Sequence, residues 1–376
     1  MPPTPAESMR NTIILSPYIS KTLGCKAYLK LENLHPCHSF KYRGISHFVK
    51  WAKEQHGPST HAIIASGGNA GLAAACSANI LRVTCTVYLP QGAAQSTIDL
   101  LRAQNAEVVV IGRFYAEALQ AAKEAAASDV HAVVVPAYEH ELLWEGHSSM
   151  IDEIASQLKK KPDAIFCSVG GGGMLGGILA GCKNNGWDDV LVATMETGGS
   201  DCFHYSMALN QMPEAEAKAR LPDNVSAVQD EETGVMLAHM HSFSSKASGS
   251  LGASQPAARV VKMALERAGQ VKTCSLPDAL AIQTCARFAD EHKILVELAC
   301  AATLAPAFKA PLFNDLVQPH AGQAPEDRTV VFIVCGGFKI SLAELEGYRK
   351  DTAAEVAAGG VWDILSDQGK VITVEK

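Results

Sequence analysis

Short apolar, β-branched runs alternate with alanine-rich stretches of helical spacing along most of the chain. A strand is predicted at Ala27–Leu31. A first series then follows, with strands at Ala62–Ala65, Thr84–Leu89, Glu107–Ile111 and Ala132–Val135 and helices near Gly71–Leu81, Ser96–Gln104 and Ala116–Ala127. A helix at Trp144–Leu158 opens a second series. Its strands are Ala164–Ser168, Val190–Met195 and Val330–Val334, with helices near Met174–Lys183, Ala257–Ala268, Ala279–Glu291 and Leu298–Phe308. Such alternation predicts an α/β protein with largely parallel sheets and helices on both faces. The stretch Met212–Gly249 is polar and weakly periodic, and it reads as a surface insertion. Beyond Asp351 one short strand, Lys370–Val374, is predicted.

The length of 376 residues favours two lobes over one core. A net charge of -7 and the lack of a basic cluster argue against a nucleic-acid partner. No apolar run approaches a membrane span, so no membrane partner is expected. The 11 cysteines are scattered, without a Cys-x-x-Cys pair, which disfavours a metal cluster or a disulfide framework and fits a reducing cytosol. Met1–Glu7 has neither a signal-peptide core nor a transit pattern, and a cytoplasmic location is expected.

Three segments carry candidate chemistry. Lys41 lies between Phe40 and Tyr42, shortly after the first predicted strand. It reads either as a surface lysine opening a helix or as a part-buried amine, easily deprotonated and able to form a Schiff base. Gly170, Gly171, Gly172 and Gly173 follow the apolar strand and precede the helix that opens at Met174. Free N–H groups and the helix dipole converge in such a loop and make an anion site, and four consecutive glycines are more than a tight turn needs. Neither Walker nor dinucleotide spacing is present, so a phosphate monoester is favoured. A phosphate-bearing aldehyde satisfies the lysine and the glycines together, and pyridoxal phosphate is one.

Ser66-Gly67-Gly68-Asn69-Ala70 follows another strand and opens a helix. It can receive a substrate carboxylate, with Asn69 donating to a phenolate oxygen of the cofactor. Equally, Ser66 or Asn69 can serve as an N-cap. Cys335 ends the strand Val330–Val334 and is either a buried structural thiol or a partner for a pyridine nitrogen. Glu196 follows Met195 and either orients the cofactor or an ion, or caps its own loop.

Together these residues resemble fold-type II pyridoxal-phosphate enzymes, and within them the eukaryotic L-serine dehydratase/L-threonine deaminase family. The matching segments are Ser39–Gly44, Ser66–Gly71, Trp144–His147, Ser168–Gly173, Met195–Thr197, Lys293–Glu297 and Val334–Gly337, in family order across residues 20–345. The resemblance implies a tryptophan synthase β-like fold of two open, twisted, largely parallel sheets. It implies a small domain, 39–138, inserted into a large one built from 1–38 and 139–376, with the cofactor in the cleft between. It also implies a Schiff base on Lys41 and Phe40 beside the ring. Asn69 would lie at the 3′ oxygen, the four glycines and Met174 at the phosphate, Cys335 at the pyridine nitrogen, and Ser66 to Ala70 at the substrate carboxylate. Family members often hold a monovalent cation, such as potassium, through backbone oxygens; the matching positions are Gly170 and Ser200, the latter replacing a more usual alanine. Leu298 stands where the family has proline. Similar enzymes are often homodimers.

The activity so implied is β-elimination of a small amino acid: L-serine to pyruvate and ammonia, and L-threonine to 2-oxobutanoate. Gly67 occupies the place where similar serine racemases carry a serine, which favours elimination over racemisation. A thiol opposite the pyridine nitrogen need not hold it protonated, and this favours the same outcome. The alternatives are a threonine-preferring deaminase, or a racemase or β-replacement enzyme on the same scaffold. A catalytically silent carrier of the cofactor and a nucleotide-binding α/β protein are the readings from other classes. A regulatory threonine deaminase would add an effector domain, for which the tail after Asp351 is short.

Overall fold

A computed structural model describes residues 10–158 and 160–376. The N-terminal reading of Met1–Glu7, and the first nine residues of the 1–38 segment, lie outside the described residues.

Twelve strands build the two sheets, one of four and one of eight. The smaller sheet holds β3 (His61–Ala65), β4 (Thr84–Leu89), β5 (Glu107–Val110) and β6 (Ala132–Val134), all parallel, in the order β5-β4-β3-β6. The larger has eight strands in the order β1-β2-β12-β7-β8-β11-β13-β14. These are β1 (Ile13–Leu15), β2 (Lys26–Leu31), β7 (Ala164–Ser168), β8 (Leu191–Thr197), β11 (Val271–Leu276), β12 (Thr329–Val334), β13 (Val361–Ser366) and β14 (Val371–Glu375). Its middle is parallel, β2 to β11, and its edges are antiparallel. Every residue of β7 and β12 is buried, the consequence of helices on both faces, and their sequences are accordingly continuous apolar runs. β13 and β14 alternate exposed and buried, because one of their faces is open.

Five strands fall outside the predicted set, β1, β11, β13 and the two strands of a hairpin within 212–249, because the apolar pattern reads these stretches as loop. The segment Met212–Gly249, expected as a polar surface insertion, contains the helix Glu214–Ala219 and a hairpin of β9 (Val225–Gln229) and β10 (Met236–Met240). Val225, Ala238 and Met240 bury against Cys202, Tyr205 and Leu209 of the helix Cys202–Gln211, a small core of its own. The segment's far end reaches the cleft described below, where Gly249 is part of the wall.

The helix Lys41–His56 packs against the helices Asn69–Leu81 and Glu141–Leu158, and so ties the smaller sheet to the larger. A buried charge cluster fastens it. Arg43 donates to Glu32 through Nε (2.6 Å) and Nη2 (2.9 Å), and to Glu153 through Nη1 and Nη2 (2.8 Å each). Lys30 Nζ donates to Glu153 at 2.5 Å, and His35 lies 3.1 Å from Glu32. Two carboxylates thus face an arginine and a lysine, with the guanidinium forked on both sides, the arrangement that offsets the desolvation of buried charge.

Candidate active site

A cavity of about 1300 Å³ lies between the two sheets, and the ends of their strands supply its walls. Ligand clefts of α/β folds lie at the carboxyl ends of strands, where helix N-termini and loops converge. Phe40, Lys41, Ser66, Gly67, Gly68, Asn69, Ala70, Gly170, Gly171, Gly172, Gly173, Met174 and Cys335 all line it. Sequence reasoning named each of them.

The main chain before Lys41 is stitched to the main chain after Cys335. Phe40 N–H donates to Cys335 O (3.1 Å), and Gly337 N–H donates to His38 O (2.7 Å). Gly337 has φ +124°, and a Cβ there would lie 2.1 Å from Glu297 Cδ, so only glycine closes this joint. Lys41 begins its helix half-buried, and its Nζ donates to Ala137 O at 2.6 Å. Among the described residues no carboxylate pairs with it. Burial lowers its pKa from 10.5 to about 8, slightly offset by Cys335. Such an amine is half neutral near pH 8, as a Schiff-base lysine requires. Phe40 packs its ring 5.1 Å from that of His147, whose pKa burial and the nearby Lys41 charge drive well down.

The N–H groups of Gly170, Gly171 and Gly172 find no acceptor among the described residues, and helix Gly173–Asn184 begins immediately after. The loop is held close to Tyr138: a Cβ on Gly171 would lie 2.4 Å from its ring. An unsatisfied cradle of N–H groups at a helix N-terminus, facing an uncompensated amine across one cavity, fits pyridoxal phosphate in both charge and chemistry. Cys335 is buried, with its thiol 3.6 Å from Ser168 Oγ on the cavity wall.

The second glycine loop differs in detail from expectation. The helix begins at Asn69 with Gly68 as its N-cap, so neither Ser66 nor Asn69 is the cap. Ser66 Oγ instead accepts from Gly68 N–H at 3.3 Å. Gly67, Asn69 and Ala70 keep N–H groups without an acceptor among the described residues. Asn69 is already engaged: Nδ2 donates to Glu297 (3.1 and 3.2 Å) and Ser250 (3.3 Å), and Oδ1 accepts from Phe338 N–H (3.3 Å).

Glu196 and Ser200 are not brought into the cavity wall. Glu196 is buried and accepts N–H bonds from Phe203 (3.0 Å) and His204 (2.7 Å), capping the helix Cys202–Gln211. Burial and the neighbouring Asp201 raise its pKa well above the usual carboxyl range. Ser200 is buried, and its hydroxyl has no partner among the described residues. Gly170 O accepts from the Cys202 thiol at 3.7 Å.

Glu297 was quoted in sequence without a role. It proves central, accepting from Asn69, from Ser250 Oγ and from Lys339 N–H (2.9 Å). The available signal was an acid set between the apolar Leu295-Val296 and the almost wholly apolar helix Leu298–Phe308. Ala137 and Lys339 carried no such signal, since one acts through its carbonyl and the other is a lysine in a loop.

A cleft of this make-up, between two largely parallel sheets, defines a fold-type II pyridoxal-phosphate enzyme. Residues 7–336 match the family model described as "Pyridoxal-phosphate dependent enzyme". The chain is 35% identical over 337 residues to the Bos taurus L-serine dehydratase/L-threonine deaminase, covering 88% of this chain and 92% of that protein. It is 31% identical to the L-serine dehydratase of Dictyostelium discoideum, over 86% of each. Among solved structures, a fungal L-serine ammonia-lyase from Rhizomucor miehei superposes with a TM-score of 0.76 at 27% identity, covering 90% of this chain and 97% of that one. Maize serine racemase, at 19% identity and a TM-score of 0.71, shares the fold. The chain belongs to the pyridoxal-phosphate dependent enzymes and, within them, to the L-serine dehydratase/L-threonine deaminase family.

Proposed function

We propose that the protein converts L-serine to pyruvate and ammonia, and L-threonine to 2-oxobutanoate and ammonia. The observation that carries this is Lys41: an amine with lowered pKa, without a carboxylate partner among the described residues, in one cavity with two glycine loops and Cys335. Pyridoxal phosphate, when bound, supplies the electron sink for breaking the α-C–H bond. The chain does the rest. Gly170, Gly171, Gly172, Gly173 and Met174 would hold the cofactor's phosphate, Phe40 would back its ring and Cys335 would serve its pyridine nitrogen. Asn69, now bonded to Glu297 and Ser250, would serve its phenolic oxygen. Ser66 to Ala70 receive the substrate carboxylate, and Lys41 Nζ accepts the α-proton.

Gly67 offers no side chain from which a proton could be delivered on the opposite face, which favours elimination over the racemase alternative. A serine there would press its Cβ to 3.1 Å from Leu89 Cδ2. Residues 39–138 act as the small domain against 1–38 and 139–376. The small amino acid is the partner. A homodimer, a cytoplasmic setting and a potassium ion on the carbonyls of Gly170 and Ser200 accompany the reading and rest on the family resemblance. Glu196 serves the last indirectly, by fixing the helix that follows Ser200. No helix among the described residues is long and apolar enough to cross a membrane.

The test is release of pyruvate and ammonia from L-serine by the cofactor-loaded protein, beside Lys41→Ala, with L-threonine and D-serine in parallel. Equimolar products lost in the variant are expected. A loaded protein that yields no oxoacid from any of the three would overturn the lyase reading.

A further inference from the structure

Lys339 has no part in the chemistry assigned above, yet its position is closely fixed. Its main-chain N–H is held by Glu297, and Phe338 N–H before it is held by Asn69 Oδ1, so the loop leaving β12 is fastened to the first turn of the helix Asn69–Leu81. The side chain runs along the cavity wall. Nζ donates to Gly249 O at 3.3 Å and lies 3.2 Å from where a Cβ on Gly68 would stand. Among the described residues no carboxylate forms an ion pair with it. Both Glu297 oxygens are engaged by Asn69, Ser250 and the Lys339 main chain.

The ammonium therefore rests on the loop whose N–H groups await an anion, and it adds to the positive end of that helix. Nζ carries three donors, and among the described residues only Gly249 O takes one of them. A carboxylate arriving at Gly67, Asn69 and Ala70 would satisfy the N–H groups and the ammonium together. We propose that Lys339 is the counter-cation of the substrate's α-carboxylate, and so a specificity-determining residue. This rests on the reading of Ser66 to Ala70 as the carboxylate seat.

The holoenzyme and its Lys339→Met and Lys339→Arg variants would be compared on paired ligands that differ only in the carboxylate. L-serine against L-serinamide gives kcat and KM. L-alanine against L-alaninamide, followed by the change in cofactor absorbance, gives Kd without turnover. We expect Lys339→Met to weaken L-alanine and raise the KM of L-serine on the order of tenfold or more, with both amides changed far less and Lys339→Arg close to the parent. Equal losses on acid and amide would mean a structural role and overturn the proposal, as would no change on either. A loss confined to a ligand with a second carboxylate, such as 3-hydroxyaspartate, would also overturn it, by assigning the charge to a side-chain anion. If L-serine is not turned over at all but L-alanine binding still depends on Lys339, the lyase reading fails and this one stands.

Discussion

At the scale of single residues, the cleft depends on one amine of lowered pKa and one close backbone approach. Lys41 loses its water shell on folding, and this moves its half-neutral point from 10.5 to about 8. A depressed lysine pKa means that the unfolded chain binds more protons than the folded one between those two values. The apo protein should therefore gain stability from this residue as pH rises from about 8 to 10.5, and carry its full desolvation penalty below. The same shift predicts that acetylation of Lys41 in the cofactor-free protein, followed by peptide mass spectrometry, rises through about pH 8. A midpoint at the ordinary lysine value would contradict the geometry. Gly171 is the close approach. Its Cβ position, 2.4 Å from the Tyr138 ring, leaves no room for alanine, and Tyr138 O is fixed by Trp144 Nε1 at 2.9 Å. Gly171→Ala should cost about 1–3 kcal/mol by overpacking. It should lower Tm and weaken pyridoxal-phosphate affinity, read by fluorescence, about tenfold; parent-like values for both would refute it.

At the scale of elements, the helix that begins with Lys41 is positioned from behind by Arg43. Replacing Arg43 with Met removes the guanidinium from both buried carboxylates, leaving Glu32 with His35 and Glu153 with Lys30, a loss of up to about 3–5 kcal/mol, large against a total stability of about 5–15 kcal/mol. Urea unfolding should show a correspondingly lower midpoint. For Glu32, burial alone would raise the pKa, but Arg43 and then His35 reverse the balance and hold it below the ordinary range. A depressed carboxyl pKa stabilises the fold fully above its unfolded value of 4.5, and that contribution is lost as pH falls below it. The parent should accordingly lose stability more steeply than Arg43→Met on acidification below that point. Little of this cluster was legible in the sequence. Glu153 lies 110 residues from Arg43, and all three of Glu32, Arg43 and Glu153 sit on elements with ordinary patterns. Lys41, the tetraglycine loop and Cys335 were legible because each follows a strand, where an α/β fold brings its chemistry together.

At the scale of the molecule, the central strands were readable because burial on both faces writes itself as a continuous apolar run, as in Val330–Val334. The rim was not. β11 is broken by Lys272, Thr273 and Ser275, whose polar groups are satisfied by distant partners: Lys272 by the carbonyls of Asp315 and Leu316, and Thr273 by Asp367. β13 carries Asp363 and Ser366 on an alternating pattern that a short window reads as loop. Yet β13 and β14 complete the sheet. β13 pairs with β11 at Cys274 and Ser275, and the hairpin buries Trp362, Ile364, Ile372 and Val374. Each such side chain is worth about 1.5–3 kcal/mol at most, so together they rival the net stability of the fold. None of the hairpin's residues lines the cavity. Removing residues 359–376 should therefore lower Tm and expose the edge of β11, a template for pairing between chains. Aggregation on warming, followed by light scattering, is the expected sign, and Trp362→Ala should show a weaker form of it. If the shortened chain melts and scatters like the parent, the hairpin is an appendage and the sheet ends in effect at β11.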